Sequence, residues 1–528
     1  MNNTCSSVWL VTREYAGVAE AGGVKNVACS LAEALLRKKI AVTVFIPRYG
    51  CVPQKGTYLF SSTVTVLGVE HPVSYISVTL HGVPLILIDS PIFFEKDDVY
   101  VYSDRETHIV HGAVRGHGHN DMDCMNLVHQ RSVLEYARIT VTAPDSIHCQ
   151  DAHTALLPAI AQTDSRYNNL FTNTSFVVTI HNAGPGYRQL VPGIDRAVEL
   201  TALNSAVLSS GMFNGNLEPF LLSAEYAHLT TVSPWYADEL TSSVYSAMTE
   251  GLSAEFERRG TQIAGIVNGI DYHRYEPSDT KISLLPFDYN PISGDFAGKY
   301  LCREWFMDNF HLLAKEAGIT CYGSLNSSEH AVYFTYQGRI VWQKGLDIFA
   351  EAAQQVMARL PEARFIVLGQ GDPLLEDMLA RLSESHQGTF LYLRGYERAL
   401  ARLSVAVADF IVLPSMFEPC GLEDYIGQIF STLPVAHAVG GLQKILEGKN
   451  GFLYHSDLSG NSATILADRL TSLASPIIAA HGQGAAADPE YKRMLTFAAN
   501  HVLTNCNWDS IVEHAYIPFY NSIFPVKS

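Results

Sequence analysis

Ser415-Met416-Phe417-Glu418-Pro419-Cys420-Gly421-Leu422 sets a carboxylate three residues before a glycine. The apolar run Phe410 to Leu413 reads as a buried strand before it, and Leu422 to Phe430 reads as a helix after it. A glycine in such a turn permits close approach of a ligand to the backbone. A helix start offers unpaired N–H groups to an anion. The competing reading is an ordinary turn with an exposed glutamate.

Arg339 and Lys344 follow the strand-like run Val332 to Gln337, five residues apart. Two cations at the mouth of a strand suit a diphosphate that gains charge as it departs. A solvated basic pair is the alternative. Gly22-Gly23 lies between a strand and a helix, where its backbone can cradle a phosphate or sugar. It is not GxGxxG, and on this dipeptide alone a tight βα turn is the better reading. Gly369-Gln370-Gly371 also follows a strand, but Leu374 stands at the third glycine position, so a turn is the better reading. His108, His111, His117 and His119 precede Asp121-Met122-Asp123. The spacing is like that of metal ligands, yet no helix organises it, and a loop lining a sugar cleft is preferred to a metal site. His153 and the pair His181-Asn182 follow strand-like runs, where polar side chains suit sugar hydroxyls, or serve as caps and satisfied core groups.

These residues need a scaffold that presents strand ends. Val8 to Thr12, the turn Ala21-Gly22-Gly23, a helix over Val24 to Leu36 and the strand Ala41 to Ile46 form a βαβ unit, hence a parallel sheet. Several short strands are expected over Val64 to Ile88, and later ones at Ser146 to His148, Phe176 to Ile180 and Thr230 to Ser233. A second region of the same kind begins around Ile263 to Asn268. It continues through a loop over Glu276 to Asp295 and a helix over Gly298 to Phe310. Strands Val332 to Gln337, Phe365 to Leu368, Phe390 to Arg394 and Phe410 to Leu413 follow, with helices over Gly345 to Leu360 and Ala399 to Ala408. The expected domains are 1–263, 264–504 and a terminal helical segment, 505–528. In open α/β sheets, ligands bind beyond the carboxyl ends of the strands.

The 528 residues exceed one compact core, and 47% hydrophobic with 17% charged content makes the chain globular. A formal net charge of −17 argues against nucleic acid as the main ligand, though not against a local basic pocket. Nine scattered cysteines, without CxxC, suit a reducing compartment. Met1 to Trp9 has no basic n-region. The run nearest to a membrane span, Ala399 to Pro414, is interrupted by Arg402 and Asp409. A cytoplasmic protein without membrane or nucleic-acid partner is expected.

Nearly end to end, the chain resembles the glycogen and starch synthases, retaining glucosyltransferases of the GT-B fold. The resemblance rests on Ala21-Gly22-Gly23-Val24; Asp151-Ala152-His153-Thr154-Ala155-Leu156-Leu157-Pro158; Thr179-Ile180-His181-Asn182; and Thr231-Val232-Ser233-Pro234. It continues through Gly265-Ile266-Val267-Asn268-Gly269-Ile270-Asp271, Gly338-Arg339, Gln343-Lys344-Gly345-Leu346-Asp347 and Leu368-Gly369 to Gly371-Asp372-Pro373. It ends with Phe417-Glu418-Pro419-Cys420-Gly421-Leu422, Thr432-Leu433-Pro434 and Gly440-Gly441-Leu442. It implies α/β architecture, two Rossmann-like domains facing a central cleft, with the last helix crossing back to the first domain. It also implies transfer of glucose from ADP-glucose, in preference to UDP-glucose, to the non-reducing end of an α-1,4-glucan, without metal or other cofactor. By position, Arg339 and Lys344 hold the donor diphosphate, and Glu418 sits by the transferred glucose. The backbone of Cys420, Gly421 and Leu422 binds its hydroxyls, and Gly22 and Gly23 face the donor. His153 hydrogen-bonds the glucose, Asp121 lies near the sugar, Asn182 contacts sugar, and Asn268 and Tyr396 line the donor site.

The departures define the alternatives. Glu20 stands where the family has a donor-binding lysine, an unfavourable exchange beside a diphosphate. Lys25, one helical turn away, is the candidate to compensate. Met416 replaces an arginine, Ile426 a glutamate and Ala152 a tryptophan, while Gly184-Pro185-Gly186 replaces aromatic and glutamine residues. They motivate a non-catalytic glucan- or nucleotide-binding relative, or a GT-B transferase using UDP-glucose or another acceptor, as competing readings.

Overall fold

The computed structural model describes residues 4–53, 55–457, 460–480 and 488–524. Parts of two expected segments, 1–3 and 525–528, lie outside the described residues. The chain divides into two compact units, 1–269 together with the segment from 508 onward, and 270–507.

In the first unit, strands run β1 (Ser7–Val11), β2 (Ala41–Pro47), β3 (Thr57–Val66), β4 (Val69–Leu80), β5 (Val83–Asp89), β6 (Ser146–Gln150) and β7 (Ser175–Ile180). Three two-residue strands, β8 (Val191–Pro192), β9 (Met212–Phe213) and β10 (Asn216–Leu217), form a small separate sheet. Then come β11 (His228–Thr231) and β12 (Ile263–Gly265). The main sheet has nine strands among the described residues, ordered β12-β11-β7-β6-β1-β2-β5-β4-β3. β3 and β4 pair antiparallel, as do β4 and β5, so the expected short strands are a long meander. Ile263–Gly265 pairs parallel with β11, which keeps it in the first unit. The division therefore falls at 269/270 and 507/508, not at 263/264 and 504/505. Helix Trp508–Ile511 continues through a π-helical turn, Val512–Tyr516, into helix Ile517–Ile523. This segment packs within the first unit: Tyr520 Oη lies 2.7 Å from His148 Nδ1 on β6, and Asp509 pairs with Arg37 at 2.8 Å.

The second unit orders β13 (Thr320–Leu325), β14 (Val332–Gln337), β15 (Ala363–Gly369), β16 (Thr389–Arg394), β17 (Phe410–Leu413), β18 (Leu433–His437) and β19 (Phe452–Tyr454) as β13-β16-β15-β14-β17-β18-β19. Only the edge strand β13 is antiparallel among the described pairings. The stretch expected as a loop, Glu276 to Asp295, holds a short helix, Thr280–Ser283, and a 3₁₀ turn, Pro291–Ser293. One aromatic row sets the register of its centre. Phe390, Phe365, Phe334 and Phe410 stack across four adjacent strands, with centroids 6.0, 5.0 and 5.5 Å apart. They are directly paired in the ladders, so a one-residue slip would turn a ring out of the core.

Helix Ala297–Glu316 fixes the entry to β17. Buried Lys299 donates to the carbonyls of Ala406 (2.6 Å) and Ala408 (2.7 Å). One turn on, Arg303 donates to Val407 O (2.7 Å) and Asp409 Oδ1 (2.8 Å), while Asp409 Oδ2 accepts from Tyr333 N at 2.9 Å. Arg402 likewise donates to the carbonyls of Ile282 and Arg274. The two charges that interrupt the apolar run over Ala399 to Pro414 are thus anchors. Among the described residues, no helix is long and apolar enough to cross a membrane. Asp409→Ala leaves the Arg303 guanidinium buried and without its carboxylate. The expected loss is about 3–5 kcal/mol for the second unit, read from urea unfolding; a loss below about 1 kcal/mol would show that the pair is dispensable.

Candidate functional site

In the second unit, the carboxyl ends of β14 and β17 bring two candidates together. Lys344 closes the 3₁₀ turn Trp342–Lys344 after β14, and its Nζ is ion-paired and hydrogen-bonded to Glu418 Oε2. Ser415 Oγ donates to the same oxygen at 3.1 Å. The two loops are stitched by Met416 N to Gln343 O (2.9 Å) and Gln343 Nε2 to Phe417 O (3.1 Å). Gly345 is required here: its φ is +67°, and a Cβ would lie 2.1 Å from Pro414 O. Burial opposes the charged form of Lys344, but the Glu418 and Glu423 carboxylates outweigh it and hold the ammonium above its ordinary range. Arg339 and Tyr396 are exposed, beyond the ends of β14 and β16.

The loop 418–422 is held from behind by a residue that the sequence reading did not single out. Lys444 Nζ donates to Cys420 O (2.6 Å) and Gly421 O (2.9 Å), pairs with buried Asp424 at 2.9 Å, and sits 4.6 Å over the Tyr425 ring. Gly441 N donates to Glu418 O at 2.9 Å, and a Cβ on Gly441 would strike Cys420. The expectation of an anion site at the following helix start needs correction. That helix, Glu423–Ile429, is seven residues long and opens with two carboxylates, Glu423 and Asp424. Glu423 Oε2 accepts from Leu422 N at 3.3 Å. With Asp424 paired to Lys444, it is the Glu423 carboxylate that stands at the first turn where an anion would have to come. Gly369 and Gly371 serve packing: Cβ atoms there would lie 2.0 Å from Gly338 O and 2.2 Å from Ile340 O.

In the first unit, the loop after β1 is built on Glu14, also unflagged from sequence. Its buried carboxylate accepts from Gly22 N, from Ala21 N (3.3 Å) and from Tyr100 Oη (2.7 Å). The Gly22 N–H therefore points to Glu14, not outward as a phosphate cradle; Gly23 has open space beside it. Lys25 Nζ lies 3.1 Å from Glu20, whose other oxygen accepts from Gly17 N at 2.7 Å. The pair carries no net charge, so Lys25 does not stand as a spare cation. Glu14 sits just past the end of β1, where the rule applied to His153 and Asn182 also applies, whereas Lys444 closes the 3₁₀ turn Gly440–Lys444, seven residues beyond β18.

His153, in the 3₁₀ turn Ala152–Thr154 after β6, is buried with its ring 5.0 Å from that of Tyr100. Burial first, then the Arg13 charge, pushes its pKa well below the usual histidine value, so the ring is held neutral, with Nδ1 buried and without a hydrogen-bond partner among the described residues. Asp151 before it has φ +65° and accepts from His181 N at 3.3 Å; burial raises its pKa to about 7. Asn182 uses its side-chain oxygen on Gly184 N (2.8 Å). Asp121 pairs with Lys96 at 2.8 Å and Asp123 with Arg196 at 2.8 Å. Of the four histidines only His108 lies in a helix, Asp104–Ile109, while His111, His117 and His119 lie in the turns before Asp121, the N-cap position of helix Met122–Thr140. His119 is buried against Tyr102. Among the described residues, the potential metal-ligand group is elsewhere, at Cys29, Glu33 and His81. Asn268 is buried at the end of the first unit, with its side-chain oxygen unpartnered among the described residues.

Residues 7–255 match the family model described as starch synthase catalytic domain, and residues 331–475 match glycosyl transferases group 1. The glycogen synthase of Photobacterium profundum is 27% identical over 446 residues, covering 83% of this chain and 80% of the relative. That of Thermodesulfovibrio yellowstonii is 28% identical over 481 residues, covering 86% and 88%. Among solved structures, the catalytic domain of starch synthase IV from Arabidopsis thaliana, bound to ADP and acarbose, superposes with TM-score 0.75 at 20% identity, covering 98% of this chain and 100% of that one. The likeness to that structure, with the two mainly parallel sheets, places the chain in the GT-B fold.

The buried histidines give a pH test. Burial lowers His129 and His148 to about 3 and His181 to about 4. Their unfolded value is near 6.5, so unfolding takes up protons below that pH and stability falls as pH drops from about 6.5. At pH 5 the loss is about 2 kcal/mol for each. Asp151 acts oppositely, since its raised pKa adds stability as pH falls from about 7 toward 4, by about 3 kcal/mol at pH 5. Glu218 and Asp424, raised by burial to about 7 and about 6, act as Asp151 does. The comparison that isolates a histidine is between wild type and His129→Leu: the change in melting temperature from pH 7 to pH 5 should be less unfavourable in the variant. The same change in both proteins would mean that this ring is not held neutral.

Proposed function

The chain belongs to the glycogen/starch synthase family of glycosyltransferases, and from that premise we propose that it transfers glucose, with retention, from ADP-glucose to the non-reducing end of an α-1,4-glucan. The observation that carries this reading is the Lys344–Glu418 pair at the carboxyl ends of β14 and β17. Cleavage of the donor C1–O bond leaves the electron pair on the diphosphate and positive character on the sugar. Lys344, with Arg339 beside it, answers the first charge; Glu418 answers the second. A diphosphate that draws Lys344 to itself also releases Glu418 Oε2 to the sugar, so donor binding and readiness for transfer are linked. The loop carbonyls of Cys420 and Gly421 are bound by Lys444, which fixes the backbone around the glucose. ADP as the nucleotide draws support from the ADP in the Arabidopsis structure. Nine free cysteines suit a cytoplasmic enzyme.

A second reading, glucan or nucleotide binding without transfer, is favoured by two features, the Glu20–Lys25 pair and the acidic start of helix Glu423–Ile429. One experiment separates them: purified protein, glycogen, and either ADP-glucose or UDP-glucose, with incorporation of labelled glucose followed. Transfer from ADP-glucose is expected, and Glu418→Ala should lower it by about 10²–10³-fold while the protein stays folded. Wild-type rates in that variant would remove Glu418 from the chemistry. Preference for UDP-glucose would overturn the donor assignment. No transfer from either, with glycogen binding intact, would establish the second reading.

A further inference from the structure

Three side chains to which the proposed transfer assigns no role converge in the first unit. Cys29 and Glu33 lie one turn apart on helix Val24–Arg37, and His81 stands on the two-residue turn between β4 and β5. One ligand atom from each lies within 4.8 Å of the others. From these residues we propose that helix and hairpin together form a binding site for one zinc ion, a structural ion set apart from the transfer chemistry.

Residues four apart share one face of a helix, so Cys29 and Glu33 point to the same side. Cys29 Sγ donates to Glu33 Oε1 at 3.4 Å, and His81 Nδ1 lies 2.7 Å from the same oxygen. In a tetrahedral site with Zn–S of about 2.3 Å and Zn–O of about 2.0 Å, sulfur and oxygen stand about 3.5 Å apart, so the first spacing needs almost no movement. The imidazole must draw back by roughly half an ångström. Its side chain is 63% exposed and has room to do so. Thiolate, imidazole and carboxylate are a donor set that zinc accepts, whereas Mg²⁺ and Ca²⁺ take oxygen ligands. The ion takes the place of the protons that now join these atoms. Cys29 gives its thiol proton to solvent and its sulfur bonds the metal; His81 offers the Nδ1 lone pair, with its proton on Nε2. Water completes the fourth position.

The turn and the helix each add an observation. His81 has φ +50° and Gly82 φ +84°, both positive, as a two-residue type I′ turn requires. Asn, Asp or Gly is the usual first residue there, and a histidine adopts that conformation at a cost that a metal bond offsets. The turn is seated on the helix, since a Cβ on Gly82 would lie 3.4 Å from Leu36 Cδ2. Glu33 is oriented from behind: its Oε2 lies 3.8 Å from Arg37 Nη1, and Arg37 is in turn paired with Asp509 at 2.8 Å. Oε1 is thereby left toward Cys29 and His81, as a ligating carboxylate is held by an outer partner whose own charge is met. The helix starts directly after Gly22-Gly23, and the hairpin touches the loop before it, since a Cβ on Gly17 would lie 3.2 Å from Leu80 Cδ2. A bound ion therefore steadies the loop 17–23 from both elements that flank it.

Two measurements on the full chain, stripped of metal with a chelator, test this. In the first, Zn²⁺ is titrated by calorimetry into wild type, His81→Asn, Cys29→Ser and Cys51→Ser, and thermal unfolding reports whether each variant is folded. A single equivalent should bind, and His81→Asn and Cys29→Ser should each weaken it about tenfold or more, since even the outer partners of a ligand cost as much. Asparagine suits the left-handed turn, so His81→Asn keeps the hairpin. Cys51→Ser removes an exposed thiol outside the cluster and should leave the affinity unchanged. In the second, Co²⁺ is the probe: a thiolate-to-cobalt charge-transfer absorption should appear in wild type and vanish in Cys29→Ser. Absence of Zn²⁺ binding, wild-type affinity in either folded ligand variant, weakening in Cys51→Ser, or a charge-transfer band that survives Cys29→Ser would overturn the site. Should Cys29→Ser not fold, His81→Asn decides.

Discussion

Lys344 and Glu418 neutralise one another at the carboxyl ends of two interior strands, β14 and β17, with side chains only 18% and 14% exposed. Neither charge is well hydrated, so each depends on the other and on the hydrogen bonds around them. That dependence constrains the chain far from the pair. Gly345 must lack a Cβ because Pro414 passes against it, and Gly441 because Cys420 does. Gly421 sits at φ +73°, where its backbone turns between Glu418 and the helix. Lys444 and Asp424 add a second buried pair that fixes the same loop from the other side. The loop is therefore set by two ion pairs and three glycines, and a ligand entering it finds the backbone already placed.

The pair can form only if β14 and β17 end at the right height. The stacked row of Phe390, Phe365, Phe334 and Phe410 sets that height through register, and Lys299, Arg303 and Asp409 pin the entry to β17. Core and site are thus one argument: the aromatic row decides where strands stop, and strand ends decide which side chains meet. The first unit solves the same problem with a single carboxylate. Glu14, just past β1, gathers Ala21, Gly22 and Tyr100 and so shapes the loop before the first helix.

Strand ends were legible because apolar runs bounded by polar residues are a direct signal; Val332 to Gln337 and Phe410 to Leu413 match the observed strands residue for residue. Helix Met122–Thr140 was not legible. Its buried face includes Asn126, His129, Gln130, Arg131 and Ser132, polar groups that erase the hydrophobic periodicity by which a helix is read. The boundary expected at 263/264 cut through the strand Ile263–Gly265, because an isolated short strand has no period at all. The glycine pair by itself reads as a tight turn, and the resemblance that set Gly22 toward the donor gives no hint that a buried carboxylate eight residues earlier takes its N–H. Partners distant in sequence, such as Lys444 for Cys420, carry no local pattern either.

The two units present different chemistry. A nucleotide sugar is anionic, and the second unit holds Lys344 against the Glu418 carboxylate at its strand ends. A glucan is neutral and offers hydroxyls. Around His153 the first unit offers a neutral imidazole and the amides of Asn126, Gln130 and Asn182, while Asp121 and Asp123 are each paired with a cation. A protonated His153 there would lose its acceptor nitrogen and repel Arg13, so burial that keeps it neutral also keeps it useful to hydroxyls. The net charge of −17 is compatible with both tasks. It does not act on a neutral glucan, and at physiological ionic strength its effect on a diphosphate is screened beyond about 8 Å.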